Sequence, residues 1–230
     1  MIPAYNEEES IAAVIDEVGA ALPGWDVLVV NDGSSDRTTA VARAAGATVA
    51  TLPFNLGVGG AMRLGFKYAI AHGYENVVQV DADGQHNPSD VPALVKALDR
   101  ADLVIGARFA GEGDYEVRGP RRWAMKVLAS VISRTANAKL TDTTSGLKAS
   151  GPSAVRLFAR YYPAEYLGDT IEALVIAARA GCVITQIPSS MRVRSAGVPS
   201  HNPIKSARYL GRACLALVFA YLSPVRAVPA

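Results

Sequence analysis

Short apolar runs alternate with amphipathic segments along the first hundred residues of the chain. Apolar residues at 11, 14, 15 and 18 follow the spacing of a helix with one buried face. Apolar, partly β-branched runs are typical of buried strands, and they occur at 27–30, 77–80 and 102–106. Between them a helix is predicted at 38–45, another ends near 71, and a third begins with Ser89 as its N-cap. A short strand is predicted at 48–52. This alternation predicts an α/β fold with a mostly parallel sheet flanked by helices.

The regular alternation ends near residue 110. Residues 111–119 contain three glycines and are predicted to form a loop over the site. The remaining predicted elements are a helix at 123–136, a polar loop at 142–146, helices near 152–160 and 170–180, and a strand at 183–187.

A last helix is predicted over 203–222. Its apolar part, 213–222, is too short to cross a bilayer, which takes about 20 residues. Basic residues beside it are compatible with a helix lying in a membrane interface. A helix packed on the core explains the same pattern, and both interpretations stay open.

Composition limits the classes of protein to which the chain can belong. With 230 residues, half of them hydrophobic and 19% charged, it is a globular chain of single-domain size. A net charge of +2 gives no reason to expect a nucleic acid partner. Cys182 and Cys214 lie in apolar surroundings and are predicted to be reduced core residues. Because no signal peptide opens the sequence, we expect a cytoplasmic protein, peripheral on the inner face of the membrane.

Two aspartates follow directly after the apolar run at 77–80. Asp81 and Asp83 are spaced i, i+2, so on an extended backbone both carboxylates point to the same side. Oxygen ligands of this kind suit Mg²⁺ or Mn²⁺, with substrate phosphates completing the coordination. A polar turn after a strand is the alternative, since Asp and Gly are common in turns.

A second strand end favours the metal interpretation. The run at 27–30 is followed by Asn31-Asp32-Gly33-Ser34-Ser35-Asp36, again acidic and containing glycine. Parallel strands present their carboxyl ends at one edge of the sheet, where α/β proteins bind ligands. The sequence therefore predicts one shared crevice for a cation and a diphosphate.

Six segments in order resemble one known family. They are Ile2-Pro3-Ala4-Tyr5-Asn6-Glu7-Glu8, Asn31–Asp36, Asn55-Leu56-Gly57, Asp81-Ala82-Asp83-Gly84-Gln85-His86, Gly106-Ala107-Arg108-Phe109 and Asp142-Thr143-Thr144-Ser145-Gly146-Leu147-Lys148. Together they resemble the family 2 glycosyltransferases of the GT-A (Rossmann-like) fold, in the branch of dolichyl- or polyprenyl-phosphate sugar synthases. The resemblance covers about residues 2–212, and we expect 1–230 to form a single domain.

The resemblance implies roles for matching residues. The donor nucleotide would be bound by Pro3, Ala4, Tyr5, Glu7, Asp32, Asp81 and Ala82. The divalent metal, Mg²⁺ or Mn²⁺, would be held by Asp81, Asp83 and Gln85. The residues implied in catalysis are Asp83, Arg108, Arg121 and Arg122, the arginines contacting phosphate. Acceptor and donor phosphates would be contacted by Arg192 and Arg194. His86 is expected behind the carboxylates or in solvent rather than as a ligand.

The implied activity is metal-dependent, inverting transfer of a sugar from a GDP-mannose or UDP-glucose type of donor to a polyprenyl phosphate. A lipid phosphate is already ionised at neutral pH and requires no strong base. A hydroxyl acceptor, in cell-envelope polysaccharide or glycolipid synthesis, would require one. Asp142, Asp169 and Glu172 are the candidate bases in that case.

Two other classes compete with a glycosyltransferase. A non-catalytic nucleotide-sugar-binding protein would keep the aspartates but lack arginines on the acceptor side. A nicotinamide-dependent oxidoreductase is suggested by Gly57-Val58-Gly59-Gly60-Ala61-Met62, although Met62 stands where that fingerprint has Gly or Ala.

The sequence departs from the family at two places. In the family an apolar strand precedes Ile-Pro-Ala-Tyr-Asn, whereas here Met1 stands directly before this segment. We therefore expect the first strand to be missing or truncated, and the natural chain to begin upstream. The second departure is Leu147-Lys148 in place of Phe-Arg, which is a mild change.

Overall fold

The computed structural model of the protein describes residues 1–107, 129–163, 169–192, 221 and 227–228. The predicted loop at 111–119 lies outside the described residues, and so does the predicted helix at 203–222 except for Tyr221.

Strands and helices alternate through the first half of the chain, as predicted. In chain order the elements are β1 (Ile2–Ala4), α1 (Ile11–Ala21), β2 (Leu28–Asn31), α2 (Thr38–Ala44), β3 (Thr48–Thr51), α3 (Val58–Ala71), β4 (Val77–Gln79), a 3-10 turn (Pro88–Asp90), α4 (Val91–Ala97) and β5 (Leu103–Ala107). After these come helical residues 129–135 (α5), β6 (Lys148–Ser150), α6 (Pro152–Tyr161), α7 (Asp169–Arg179) and β7 (Ile184–Pro188).

The strands form one mostly parallel arrangement, which confirms the predicted α/β class. β1, β2 and β3 pair in parallel, and β4, β6, β5 and β7 form a second group in that order. Within the second group β6 is antiparallel to both of its neighbours, while β5 and β7 are parallel. The Met1 nitrogen donates to Val78 O (2.8 Å), and Val80 N donates to Met1 O (3.1 Å), so β1 joins the two groups.

The first strand is short but present. Ile2, Pro3 and Ala4 pair with residues 29–31 of β2, although these three residues were expected to follow the strand. A cavity of about 420 Å³ lies beside Met1, between Leu28 of β2 and Val77 of β4. Met1 and the three residues of β1 thus lie between β2 and β4.

Helices cover both faces of the sheet. Residues of α1, α2 and α4 pack in one hydrophobic cluster, represented by Ile11, Ala42 and Leu94. Residues of α3, α6 and α7 pack in another on the opposite face. Cys182 is buried, as predicted for a core cysteine, and burial raises the pKa of its thiol to about 11. Cys214 lies outside the described residues.

Two local predictions differ from the structure. Ser89 was expected to cap a helix, but it lies inside the 3-10 turn, and the Asn87 side chain accepts a hydrogen bond from Ser89 N (3.2 Å). The strand β6 was not predicted, because Lys148 and Ser150 interrupt the apolar pattern that marks a buried strand. All three β6 residues are nevertheless buried.

Three aromatic rings join α3 to α6. The ring of Phe66 lies 5.2 Å from Phe158 and 5.5 Å from Tyr162, measured between centroids, and Phe158 and Tyr162 are 5.2 Å apart. All three are almost fully buried, and tilted or edge-on pairs of this kind add to the energy of burial.

We predict that Phe66→Ala lowers the free energy of unfolding by about 3–5 kcal/mol, because it leaves a cavity in this aromatic cluster. Ile70→Ala, on the same helix at a 46% exposed position, serves as the control and should change the stability little. Denaturant unfolding followed by circular dichroism measures both. Equal stability of the two variants would contradict the assigned packing.

Candidate active site

Polar loops follow β1, β2 and β4 at the same edge of the sheet. The first two loops are bonded to each other: Asn6 N donates to Ser34 Oγ (2.9 Å), and Ser35 N donates to Asn6 Oδ1 (2.9 Å). Asp36 accepts a hydrogen bond from Glu8 N (3.2 Å) through its carboxylate. The loops after β1 and β2 thus contact each other at this edge, and a crevice shared with the loop after β4 stays a prediction.

Asp32 organises the loop before α3. Its Oδ1 accepts a hydrogen bond from Leu56 N (2.7 Å), and its side chain is buried. Burial raises the pKa of this carboxyl, and backbone hydrogen bonds from Leu56 and Gly57 offset only part of the effect. Gly33 has a φ of 71° and lies under the backbone of Phe54, so a side chain there would clash. The implied contact of Asp32 with base or ribose stays a prediction.

The other implied nucleotide residues lie around the same loops. Tyr5 is 47% exposed in the loop after β1, whereas Ala4 is buried in β1 and Pro3 is half-buried there. Glu7 accepts a hydrogen bond from Ser10 Oγ (2.8 Å) at the start of α1. Of these four residues, Tyr5 offers the largest surface to a ligand.

The loop after β4 contains both carboxylates of the predicted metal pair. Asp81 and Asp83 are half-buried, while Ala82 between them is buried in the core. Asp83 Oδ1 accepts a hydrogen bond from Gln85 N (3.0 Å), which closes a tight turn around the second carboxylate. Gln85 itself is half-buried beside them.

Asp81 is surrounded by groups that favour its charged form. His86 Nε2 donates to Asp81 Oδ2 (3.1 Å), and Gln79 Nε2 donates to Oδ1 (3.4 Å). Burial opposes ionisation, but the hydrogen bond and charge of His86, the Gln79 bond and the charge of Lys148 outweigh it, so the pKa of Asp81 is lowered. Because 37% of its side chain stays exposed, the carboxylate can still meet a ligand.

His86 lies behind the carboxylates, one of the two positions expected for it. Its side chain is buried, and its backbone forms an isolated antiparallel bridge with Met191. The ring is therefore a hydrogen-bonding partner of Asp81 within the fold rather than a solvent-facing group.

The loop 142–146 packs against Asp81 from the other side. A Cβ at Gly146 would lie 2.5 Å from Cγ of Asp81, so only glycine leaves room for the carboxylate. Lys148 follows in β6, where it is buried and its charge acts on Asp81. The resemblance identified this segment, but no role was predicted for Gly146 or Lys148 beside residues 81–86, which carry the predicted metal ligands and are called the metal loop below.

Asp142 is fully buried at the start of the same loop. Its Oδ1 accepts hydrogen bonds from Thr144 N and Thr144 Oγ1, both at 3.2 Å. Its carboxylate is thus turned into the protein. Glu172 is half-buried on α7, and the side chain of Asp169 lies outside the described residues.

Arg192 is held by neighbouring side chains. Its Nη1 donates to Glu17 Oε2 (2.6 Å), and its Nη2 donates to Asn87 Oδ1 (3.0 Å). Its backbone N donates to Gln85 O (2.8 Å), which places the residue next to the metal loop. The other predicted phosphate contacts, Arg108, Arg121, Arg122 and Arg194, lie outside the described residues.

Further hydrogen bonds tie the chain after β7 to the metal loop. Asp90 Oδ2 accepts from Ser189 Oγ (2.9 Å) and Ser190 N (2.8 Å). Asn87 Nδ2 donates to Ser190 Oγ (3.0 Å). These serines were not predicted, because polar residues after a strand are common and carry no distinguishing signal of their own.

The donor set suits a hard cation that is completed by substrate. Within the described residues, no group of three or more His, Cys, Asp or Glu side chains could hold a metal alone. Asp81 and Asp83 provide carboxylate oxygens, and Gln85 provides an amide oxygen in the same loop. Mg²⁺ is commonly bound by one or two carboxylates together with substrate phosphates, so these residues fit the expected cation.

Comparison with known proteins gives the class of the chain. Residues 1–160 match the family model "Glycosyl transferase family 2". The undecaprenyl-phosphate mannosyltransferase of Micrococcus luteus is 32% identical over 204 residues, which are 86% of this chain and 84% of that protein. The polyprenol monophosphomannose synthase of Mycolicibacterium smegmatis is 36% identical over 144 residues, which are 60% of this chain and 52% of that one.

Solved structures give the same fold. Glucosyl-3-phosphoglycerate synthase from Mycobacterium tuberculosis, in complex with UDP, superposes with a TM-score of 0.73 at 24% identity, covering 97% of this chain and 79% of that one. Another crystal structure of that enzyme contains Mn²⁺, UDP and glucosyl-3-phosphoglycerate. The fold is thus of the GT-A type.

The chain belongs to glycosyl transferase family 2, and it is a glycosyltransferase. This membership opposes the oxidoreductase alternative. The geometry also opposes it. A dinucleotide fingerprint needs a tight turn from strand to helix, whereas here a longer loop lies between β3 and α3.

We predict that Gly146→Ala weakens Mn²⁺ binding in the presence of nucleoside diphosphate by about 10- to 100-fold, since it displaces the Asp81 carboxylate. Gly151→Ala is the matched control, because the nearest atom to a Cβ there is 3.5 Å away. Isothermal titration calorimetry with Mn²⁺ measures the effect without requiring turnover. Wild-type affinity in Gly146→Ala, with unchanged melting temperature, would contradict the assigned contact.

Proposed function

We propose that this protein transfers a sugar, with inversion, from a nucleoside-diphosphate sugar of the GDP-mannose or UDP-glucose type to a polyprenyl phosphate, using Mg²⁺ or Mn²⁺. The observation that carries the proposal is the pair Asp81 and Asp83 in the loop after β4, with Asp81 kept ionised by its surroundings. A site of this kind suits a diphosphate with its cation.

The donor would lie across the ends of β1, β2 and β4. Tyr5, exposed in the loop after β1, would contact the nucleotide, and Asp32 would reach its base or ribose through the loop that it organises. Asp83 and Asp81 would hold the cation at the diphosphate. A divalent cation there stabilises the negative charge that develops on the departing nucleoside diphosphate.

The buried state of Asp142 counts against one of the three candidate bases that a hydroxyl acceptor would require. A hydroxyl acceptor needs a base within hydrogen-bond reach, and Asp142 bonds to Thr144 inside the protein instead. A polyprenyl phosphate with a second pKa near ~6 is already mostly ionised at neutral pH. Relatives named for transfer to undecaprenyl phosphate and for synthesis of polyprenol monophosphomannose agree with a phosphate acceptor.

Arginines would bind the phosphates of donor and acceptor. Arg108, Arg121, Arg122 and Arg194 keep this role as a prediction. Arg192 would have to leave Glu17 and Asn87 before it contacted phosphate. Its position beside Gln85 favours a role in which it holds the metal loop against the chain after β7.

A lipid acceptor implies work at a membrane surface. No helix among the described residues is long and apolar enough to cross a bilayer. Because the proposed acceptor is a lipid phosphate, we propose a peripheral position on the inner face of the membrane, where a nucleotide sugar and a lipid phosphate meet.

Asp83→Asn is predicted to reduce sugar transfer by at least about 100-fold, because an amide replaces a charged oxygen ligand of the cation. Asp16→Asn removes an exposed carboxylate on α1 and should leave transfer unchanged. Melting temperatures of both variants report on folding. Transfer at the wild-type rate in Asp83→Asn would defeat the metal assignment.

The acceptor and donor are tested together by incubating the protein with a panel of GDP- and UDP-sugars and undecaprenyl phosphate, with Mn²⁺, Mg²⁺ or EDTA. We expect a glycosyl lipid from one donor, and none with EDTA. Donor hydrolysis without a lipid product would point to a hydroxyl acceptor. Binding of donors without either reaction would support the non-catalytic alternative.

A further inference from the structure

Two neighbouring helices of one sheet face carry only positive charge. α3 and α6 pack through the cluster of Phe66, Phe158 and Tyr162. Together they contain four basic residues and no acidic residue. The basic residues are Arg63, Lys67, Arg156 and Arg160. We call the outer surface of these two helices the α3–α6 face.

The helices on the opposite face of the sheet are balanced in charge. α1 contains two acidic residues and no basic one, whereas α2 and α4 contain one basic residue each and no acidic one. The residues are Asp16, Glu17, Arg43 and Lys96. On the same face as α3 and α6, α7 contains two acidic residues and one basic one. The excess of positive charge is therefore a property of α3 and α6 and not of helices in general.

Basic and apolar side chains alternate on the surface of α3. Arg63, Lys67 and Ile70 are spaced i, i+4, i+7 and therefore share one side of the helix. Lys67 is exposed, and Ile70 keeps 46% of its surface in solvent. Cations beside an exposed apolar side chain are typical of surfaces that lie on anionic membranes.

The two helices bring their cations close together. Arg63 Nη2 donates to the carbonyl oxygen of Arg160 (3.2 Å), so these two residues join α3 to α6. The Arg160 guanidinium lies 5.4 Å from the centre of the Tyr161 ring and is exposed. An aromatic ring beside an exposed cation is a further feature of membrane interfaces.

The α3–α6 face reaches the edge of the sheet that bears the active site. α3 begins directly after the loop that Asp32 organises, so Arg63 lies near that edge. α6 begins at the opposite edge, where Gly151 N donates to Asp102 O (2.8 Å) just before β5, and it ends near Arg63. A bilayer against this face would meet the crevice at the same edge.

We propose that the α3–α6 face docks on the anionic surface of a lipid bilayer, with Lys67 and Arg160 facing lipid phosphates. The proposal rests on the proposed function in one respect, which is that a lipid acceptor has to be taken from a bilayer. The docking itself is electrostatic, so it weakens as ionic strength rises.

Sedimentation with phosphatidylcholine vesicles, with and without phosphatidylglycerol, tests the docking. The wild-type protein should bind only the vesicles that contain phosphatidylglycerol. The double variant Lys67→Gln/Arg160→Gln should weaken this binding about 25-fold, because the loss of each charge near the surface weakens it about fivefold. Arg43→Gln/Lys96→Gln removes the same two residue types from exposed positions on the opposite face and should bind as the wild type does.

A charge-preserving variant separates charge from folding. Lys67→Arg/Arg160→Lys should bind like the wild type, and all variants should melt at the wild-type temperature. The proposal is overturned if the wild type ignores phosphatidylglycerol, if Lys67→Gln/Arg160→Gln binds normally, or if both Gln variants lose binding equally.

Sugar transfer to a short-chain polyprenyl phosphate in solution keeps the two proposals distinct. Both Gln variants should transfer sugar to it at the wild-type rate, because no bilayer is involved. If no protein transfers sugar, the proposed function fails, while vesicle binding still decides the docking. Loss of soluble transfer in Lys67→Gln/Arg160→Gln alone would place these residues in the site and overturn the docking role.

Discussion

The candidate site depends on one carboxylate being held ionised at the edge of a hydrophobic core. Asp81 follows a buried strand, where an unpaired charge would be costly. His86, Gln79 and the charge of Lys148 compensate this cost, and Gly146 gives the carboxylate the space it occupies. Two segments distant in sequence, 79–86 and 146–148, thus meet at one side chain, and each of them continues into a strand of the sheet, β4 or β6.

The topology of the sheet brings the groups around Asp81 together. β6 is antiparallel and lies between β4 and β5, which brings Lys148 beside Gln79. The chain after β7 returns to the metal loop, where Arg192 bonds to Gln85 and Asp90 bonds to Ser189. A loop fixed from both sides can present two carboxylates without rearrangement, which reduces the cost of binding a charged donor.

The sequence made some of these features predictable and left others hidden. The apolar runs predicted the sheet and its flanking helices, because local periodicity determines them. The strand β6 was not predicted, because its burial results from the neighbouring strands and not from the apolar pattern of its own sequence. The hydrogen-bond partners of His86 and Arg192 were not predicted either, because these contacts depend on the fold and not on the spacing of residues in the sequence.

The central claim is that two carboxylates and a nucleoside diphosphate bind the cation together. Mn²⁺ binding followed by electron paramagnetic resonance, with and without GDP or UDP, tests it most directly. Because two carboxylates would leave part of the coordination sphere to the diphosphate, Mn²⁺ alone should bind weakly, and one nucleotide should tighten its binding at least about tenfold. An affinity for Mn²⁺ that neither GDP nor UDP changes would contradict this joint binding.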